Sequence, residues 1–241
     1  MAARFRDVMN RVLRNLGEAQ IGPAATELTS SYHLLVAGFL NLIKSEIEEA
    51  AQWRVLQREV TFTINPGENV ALAADTNERS RLVRIPDQER GEFVPLVFDI
   101  TDPTNSQQMI EVDKARLQYL IRQESPGYSE TLSTYFVMDS FSDGTGVPRV
   151  RLTVFPAPTT TRTVTAYMVV PQDRLEDDDL DVWIKIPDSV LELGTTWWAY
   201  AERGEELGPT NMFTEERFRQ ALNAATSREE AEQGGLDMVP V

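Results

Sequence analysis

"VRLTVFPAPTTTRTVTAYMVV", residues 150–170, carries two strand-like runs separated by two prolines and a threonine cluster. Val150, Leu152 and Val154 alternate with Arg151 and Thr153, and Val164, Ala166 and Met168 alternate with Thr165 and Tyr167. A period of two puts each apolar set on one face of a half-buried strand. Pro156 and Pro158 remove two backbone donors, so the chain cannot run on as a single strand. The segment therefore reads as the closing hairpin of a β domain, with the intervening arginines and threonines facing out.

Upstream, the same period recurs. "REVTFTINPGENVALA" (58–73) reads as strand, turn, strand, with Pro66-Gly67 supplying type II turn chemistry. "RLVRIP", "EFVPLVFDI", "RLQYLIRQ" and "TLSTYFVMDSF" continue as short β-compatible runs, with breaks at Pro86, Pro103, Pro126 and Gly127, and Asp143-Gly144 as a further turn signal. Six or seven short strands predict an antiparallel sandwich or small barrel.

Helical spacing flanks this region on both sides. Phe5, Val8, Met9, Val12, Leu13 and Leu16 predict a first amphipathic helix ended by Gly17, and a linker with Gly22 and Pro23 comes next. Thr29 to Ser31 offer N-cap oxygens to a long second helix with Val36, Leu40, Ile43, Ile47 and Ala50 on its stripe, ending near Trp53 or Leu56. Helix returns at Pro187-Asp188, with Val190, Leu191, Trp197, Trp198 and Ala201 spaced for burial, and closes at Gly208-Pro209. A last helix starts near Thr214 with a Phe213–Phe218 staple, and beyond Ser227 the apolar repeat lapses into a tail. The expected fold class is α+β. N- and C-terminal helices (1–56 and 187–226) form a four-helix bundle, an antiparallel β-sandwich or barrel (57–186) is inserted in it, and 227–241 forms a C-terminal arm.

Composition excludes most catalysis. The 241 residues include no cysteine, so disulfides, thiolate metal sites and cysteine nucleophiles are out. The single histidine, His33, cannot build a zinc site alone and has no marked serine for a triad. No phosphate-binding glycine loop and no nucleophile elbow occurs. "EDDDLD" (176–181) lacks the ligand spacing of a calcium loop and reads as solvated. No cofactor or metal is expected. The apolar run "YHLLVAGFLNLI" is too short to span a bilayer, and no secretory signal is evident, so the cytoplasm is the expected place of synthesis.

A net charge of −15 disfavours gripping nucleic acid, since phosphate contacts need clustered cations. The charge is uneven. Arg4, Arg6, Arg11 and Arg14 make the first helix basic, whereas the chain from "DRLEDDDLD" (173–181) onward is dominated by acids. Opposite patches at the two ends of a chain suit head-to-tail contact between copies, which marks those four arginines as subunit-interface candidates.

The order of these parts also carries a resemblance. "AAQWRVLQREVTFTI" runs a helix-ending tryptophan straight into a strand; "RLVRIPD", "RVRLTVFPAPTTTRTVTAYMVVP" and "IPDSVLELGTTWWAYA" come after it in turn. The chain resembles, over nearly its whole length, the head-to-tail adaptor proteins of tailed bacteriophages, most closely the tail tubular protein A type of short-tailed phages. The resemblance implies a non-enzymatic virion protein of the neck, assembled in the host cytoplasm as a twelve-membered homo-oligomeric ring. Its partners would be the portal protein, the tail nozzle and often fibres, and DNA would pass through the lumen unbound during packaging and ejection. The tail residues Leu236, Met238, Val239 and Val241 are then portal-binding candidates. A reading from another class stays open: a carbohydrate-binding or glycan-hydrolysing β module, with Tyr119, Tyr128, Tyr135 and Tyr167 as stacking platforms, on a helical oligomerisation domain. A third is an acidic scaffold.

Overall fold

The computed structural model describes residues 3–73, 75–87, 92–102, 104–123, 134–142, 148–204 and 209–234. It is a mixed α+β chain that divides into two compact units, Met1–Leu56 with Gln172–Val241, and Gln57–Pro171. Residues 172–186, which the sequence pattern assigns to the β domain, cluster with the helices.

In the first unit, α1 (Phe5–Asn15) begins where the Asp7 carboxylate accepts the backbone N–H of Arg4 at 3.3 Å. It ends as the spacing predicts. Gly17 adopts φ +72°, Glu18 N–H reaches the Leu13 carbonyl at 2.8 Å and Gly17 N–H reaches that of Arg14 at 3.1 Å, a Schellman ending that only an unbranched backbone fits cheaply. α2 (Ser31–Ala50) stops earlier than expected. The Trp53 indole folds back and donates to the Ile47 carbonyl at 2.6 Å, capping the last turn before a short 3-10 turn at Arg54–Leu56.

α4 (Asp188–Glu202) starts at Pro187 as expected but ends at Gly204, φ +71°, short of Gly208. It packs against α1, α2 and α5. Gly194 permits that close approach: a β-carbon there would lie 2.6 Å from Ile43 Cγ2 and 2.8 Å from the Phe218 ring. α5 (Pro209–Gly234) differs at both ends from the sequence expectation. Proline at the first helical position starts it five residues before Thr214, since its missing N–H is an unbonded one anyway. It also runs past Ser227 without an apolar stripe. The far half is held by charge: Arg54 donates its backbone N–H to Glu229 at 2.6 Å and pairs with Glu229 and Glu232. The Phe213 side chain and the rest of the tail lie outside the described residues.

The second unit contains two main sheets. β1 (Gln57–Ile64), β3 (Arg81–Leu82), β6 (Val97–Asp99), β7 (Gln107–Gln108) and β11 (Arg162–Val169) form one, ordered β1-β11-β6-β7 with β3 also on β11. β2 (Val70–Leu72), β8 (Ile110–Glu111), β9 (Tyr135–Ser142) and β10 (Pro148–Phe155) form the other, ordered β2-β10-β9-β8, and β4 (Arg84–Asp87) pairs with β5 (Glu92–Pro95). The pairings are antiparallel except β8 with β9.

Two expected hairpins are therefore corrected. β10 pairs with β9 and β2, and β11 with β1, β6 and β3, so the 150–170 stretch crosses from one sheet to the other. β1 and β2 part in the same way, although the turn between them is as predicted: Gly67 has φ +77° and Glu68 N–H reaches the Asn65 carbonyl at 3.1 Å. The inward sets are as the alternation predicts. Val150, Leu152, Val154, Val164, Ala166 and Met168 are all buried in one core with Phe62, Ile64, Val97 and Phe136. A third correction concerns "RLQYLIRQ", which forms α3 (Lys114–Arg122) instead of a strand. Asp113 caps it by accepting from Arg116 N–H at 2.7 Å, and Leu117, Leu120 and Ile121 recur at helical spacing, with Leu117 buried. Asp143-Gly144, Pro103, Pro126 and Gly127 lie outside the described residues.

Candidate assembly surfaces

The basic face of α1 meets acids of its own chain. Arg11 reaches Asp188 at 2.7 Å and Glu192 at 3.1 Å, one turn apart on α4, and Asn15, one turn along α1, donates to Glu192 at 3.0 Å. The seam continues with Tyr200, whose hydroxyl donates to the Asn15 carbonyl at 2.8 Å. Arg203 donates to the Leu16 carbonyl at 3.1 Å and to Glu18 at 2.6 Å, closing the C-terminus of α1. Arg6 holds the linker by donating to the Ala25 carbonyl at 2.8 Å and lies 3.6 Å from Asp181; Arg4 reaches Asp181 at 3.2 Å. Of the four candidate arginines, Arg14 alone is exposed with no ion pair among the described residues. Arg4, Arg6 and Arg11 each have an acidic partner within their own chain.

Arg4 also stacks over Trp183, 5.2 Å from the ring centroid, on a short ribbon in which Phe5 N–H reaches the Val182 carbonyl and Ile184 N–H that of Ala3, both at 2.9 Å. Trp183 is 54% exposed, and an exposed tryptophan under an arginine is the composition of an interface anchor. Neighbouring "EDDDLD" forms a turn, with Asp179 accepting from Glu176 N–H at 2.8 Å; no metal-holding cluster occurs among the described residues.

Inside α2, Lys44 and Glu48 form a buried pair at 3.2 Å. Lys44 also donates to the carbonyls of Gln172 and Asp173 at 2.7 and 3.0 Å, and Glu48 accepts from Gln172 N–H at 3.1 Å. One turn earlier, Asn41 exchanges two 2.9 Å hydrogen bonds with the backbone of Leu175. The returning chain is thus paired to a helix as if to a strand. His33 sits at the start of α2 with Nε2 3.0 Å from the Ala19 carbonyl, a local tie.

The outer face of α2 is unlike the rest of the unit. Leu35, Phe39 and Leu42, with Leu34 beside them, lie opposite the buried Val36, Leu40, Ile43 and Ile47. The sequence marks the inner stripe at Val36, Leu40, Ile43 and Ile47, although Ala50, expected on it, is exposed; the outer residues do not stand out because the stretch from Leu34 to Leu40 is apolar all round.

In the β unit, Asp139 takes a bidentate bond from Arg151 at 2.6 and 2.8 Å and one from Lys114 at 2.8 Å, tying α3 to β9 and β10. The Arg151 hydrogen bond is the main cause that holds the Asp139 carboxyl down at about 2; burial opposes it and Lys114 adds to it. A groove of about 380 Å³ lies along β5 and β7–β8, lined by Phe93, Ile110, Glu92 and Glu111 among others. Tyr119, Tyr135 and Tyr167 stand on α3, β9 and β11, the last two in different sheets; Tyr128 lies outside the described residues. The candidate portal contacts Leu236, Met238, Val239 and Val241 lie outside them too.

No described helix is long and apolar enough to cross a membrane. Residues 3–238 match the family model described as SU10 adaptor protein, and no curated protein sequence matches the chain.

Proposed function

This chain belongs to the SU10 adaptor protein family, a phage structural family that associates with other head and tail proteins, and on that premise we propose how it works in the virion neck. The subunit acts as one segment of a ring, twelve-membered by the resemblance, that joins the portal to the tail nozzle and extends the DNA channel through which the genome is ejected. Its work is mechanical and needs no catalytic group. The observation that carries this reading is a family match spanning all but the ends of the chain, so both units and the helical return belong to the adaptor.

The physical features are consistent with it. A net charge of −15 lets DNA slide past a lumen without sticking, since there are few clustered cations to release counterions. Four helices of the first unit closing as a bundle, and two sheets of the second closing as a sandwich, would give a rigid base and a platform for nozzle or fibres. Arg14 is the arginine of α1 left for a neighbouring copy. Leu236, Met238, Val239 and Val241 would dock against the portal. Electron micrographs of the protein mixed with portal should show rings seated on portal, and a chain truncated after Gly234 should fail to seat. Rings absent from the mixture would overturn the adaptor reading, whereas a truncated chain that seats normally removes the tail contact.

A further inference from the structure

We propose that free subunits pair through the outer face of α2, as a closed twofold dimer with the two α2 helices antiparallel. Leu35 and Leu42 are 43% and 49% exposed, and Phe39 lies half-buried between them on the same stripe. Gly38 completes the stripe. Glycine inside a helix weakens it relative to alanine, and a β-carbon at Gly38 would meet nothing within 4 Å, so no contact within the chain calls for glycine there. This is the opposite of Gly194, where neighbouring side chains fill that space. The notch at Gly38 faces outward.

The occupant is identified by the stripe's own pattern. Antiparallel pairing about a centre between residues 38 and 39 sets Leu35 against the partner's Leu42 and Phe39 over the partner's Gly38, a knob into a matching hole. Each contact then occurs twice, as an isologous interface requires. Charge agrees with this direction. α2 has no acid in its first turn, no side-chain cap at Ser30 and no base in its last turn, yet Glu46 is exposed near its C-terminal end without a partner among the described residues. In the antiparallel pair Glu46 lies beside Ser31 at the partner's N-terminus, where a negative charge is favoured by the helix dipole. One helix face is smaller than a standard interface, so the pair is reversible, with micromolar affinity. If the adaptor reading holds, the pair keeps free copies closed until a portal is available.

Sedimentation of the full chain from roughly 1 to 100 μM should show the mass rising from 27.2 kDa toward twice that value. Leu42→Glu, an exposed change, should keep helix content and lower the association constant at least tenfold. Because the chain lacks cysteine, oxidation reads the register directly: a mixture of Leu35→Cys and Leu42→Cys chains should yield at least tenfold more linked dimer than either alone. A chain that stays monomeric over that range overturns the proposal, as does equal linking of either variant alone. Free monomer whose portal-bound rings are lost with Leu42→Glu would assign the stripe to a ring neighbour instead. Portal is absent from the dimer measurement, so this proposal and the adaptor reading fail independently.

Discussion

Gly194 and Gly38 show how one residue type serves two ends. At Gly194 a methyl group would enter the space held by Ile43 and Phe218, and overpacking of that kind costs about 1–3 kcal/mol. Gly194→Ala should therefore lower the urea midpoint, while Gly38→Ala, measured on dilute monomer, should raise stability by up to about 1 kcal/mol. Asp139 offers a test by pH. A carboxyl held at about 2 stabilises the fold above its unfolded value of roughly 3.9 and loses that contribution as the pH falls through about 2. Discounted for partial solvent exposure, Asp139→Asn should cost about 1–2 kcal/mol at neutral pH, and its urea midpoint should converge on that of the parent chain between about pH 4 and pH 2. A gap that stays constant with pH would mean that the Arg151 and Lys114 contacts do not favour the charged form. Neither role is legible in the sequence. Glycine spacing does not say what surrounds a backbone, and Asp139 meets Lys114 only after α3 folds over β9 and β10.

Among the elements, period two tells which residues of β10 and β11 face the core but not which strands they pair with, because a hairpin and a crossing between sheets impose the same alternation. α3 reads as a strand for a related reason: in a nine-residue helix only Leu117, Leu120 and Ile121 report the 3.6 period, and the β-compatible types beside them outweigh it. The far half of α5 is illegible because charge holds it. Arg54→Ala should cost less than about 1 kcal/mol in global stability, since the pair is partly exposed, yet raise amide exchange in 227–234 while leaving the α2 amides protected. Lys44 lies at the other extreme. Lys44→Met would leave Glu48 buried and charged and strip a donor from two carbonyls, a loss of about 3–5 kcal/mol. Far-ultraviolet dichroism against urea would read it, and a cost under about 1 kcal/mol would mean water reaches the pair.

At the scale of the whole molecule, the helix, strand, helix order is legible because each period change falls at a marked residue: Gln57 after the Trp53 cap, and Pro187 before α4. The placing of 172–186 is not, since that segment has no period at all; side chains of α2, Lys44, Glu48 and Asn41, hold it through its backbone. β1 and β11 bring Gln57 opposite Val169, so the chain enters and leaves the β unit at adjacent points about 5 Å apart. That is the geometry of an insertion, in which neither part needs the other's connection to close its own core. Residues 57–171 expressed alone should unfold in one cooperative transition with dispersed amide resonances. Joining Leu56 to Gln172 through a short glycine-serine linker should leave a helical unit with its Lys44–Glu48 clamp intact. A β fragment that melts without cooperativity would show that its core depends on the helical unit, and the adaptor would then have to be treated as a single folding unit.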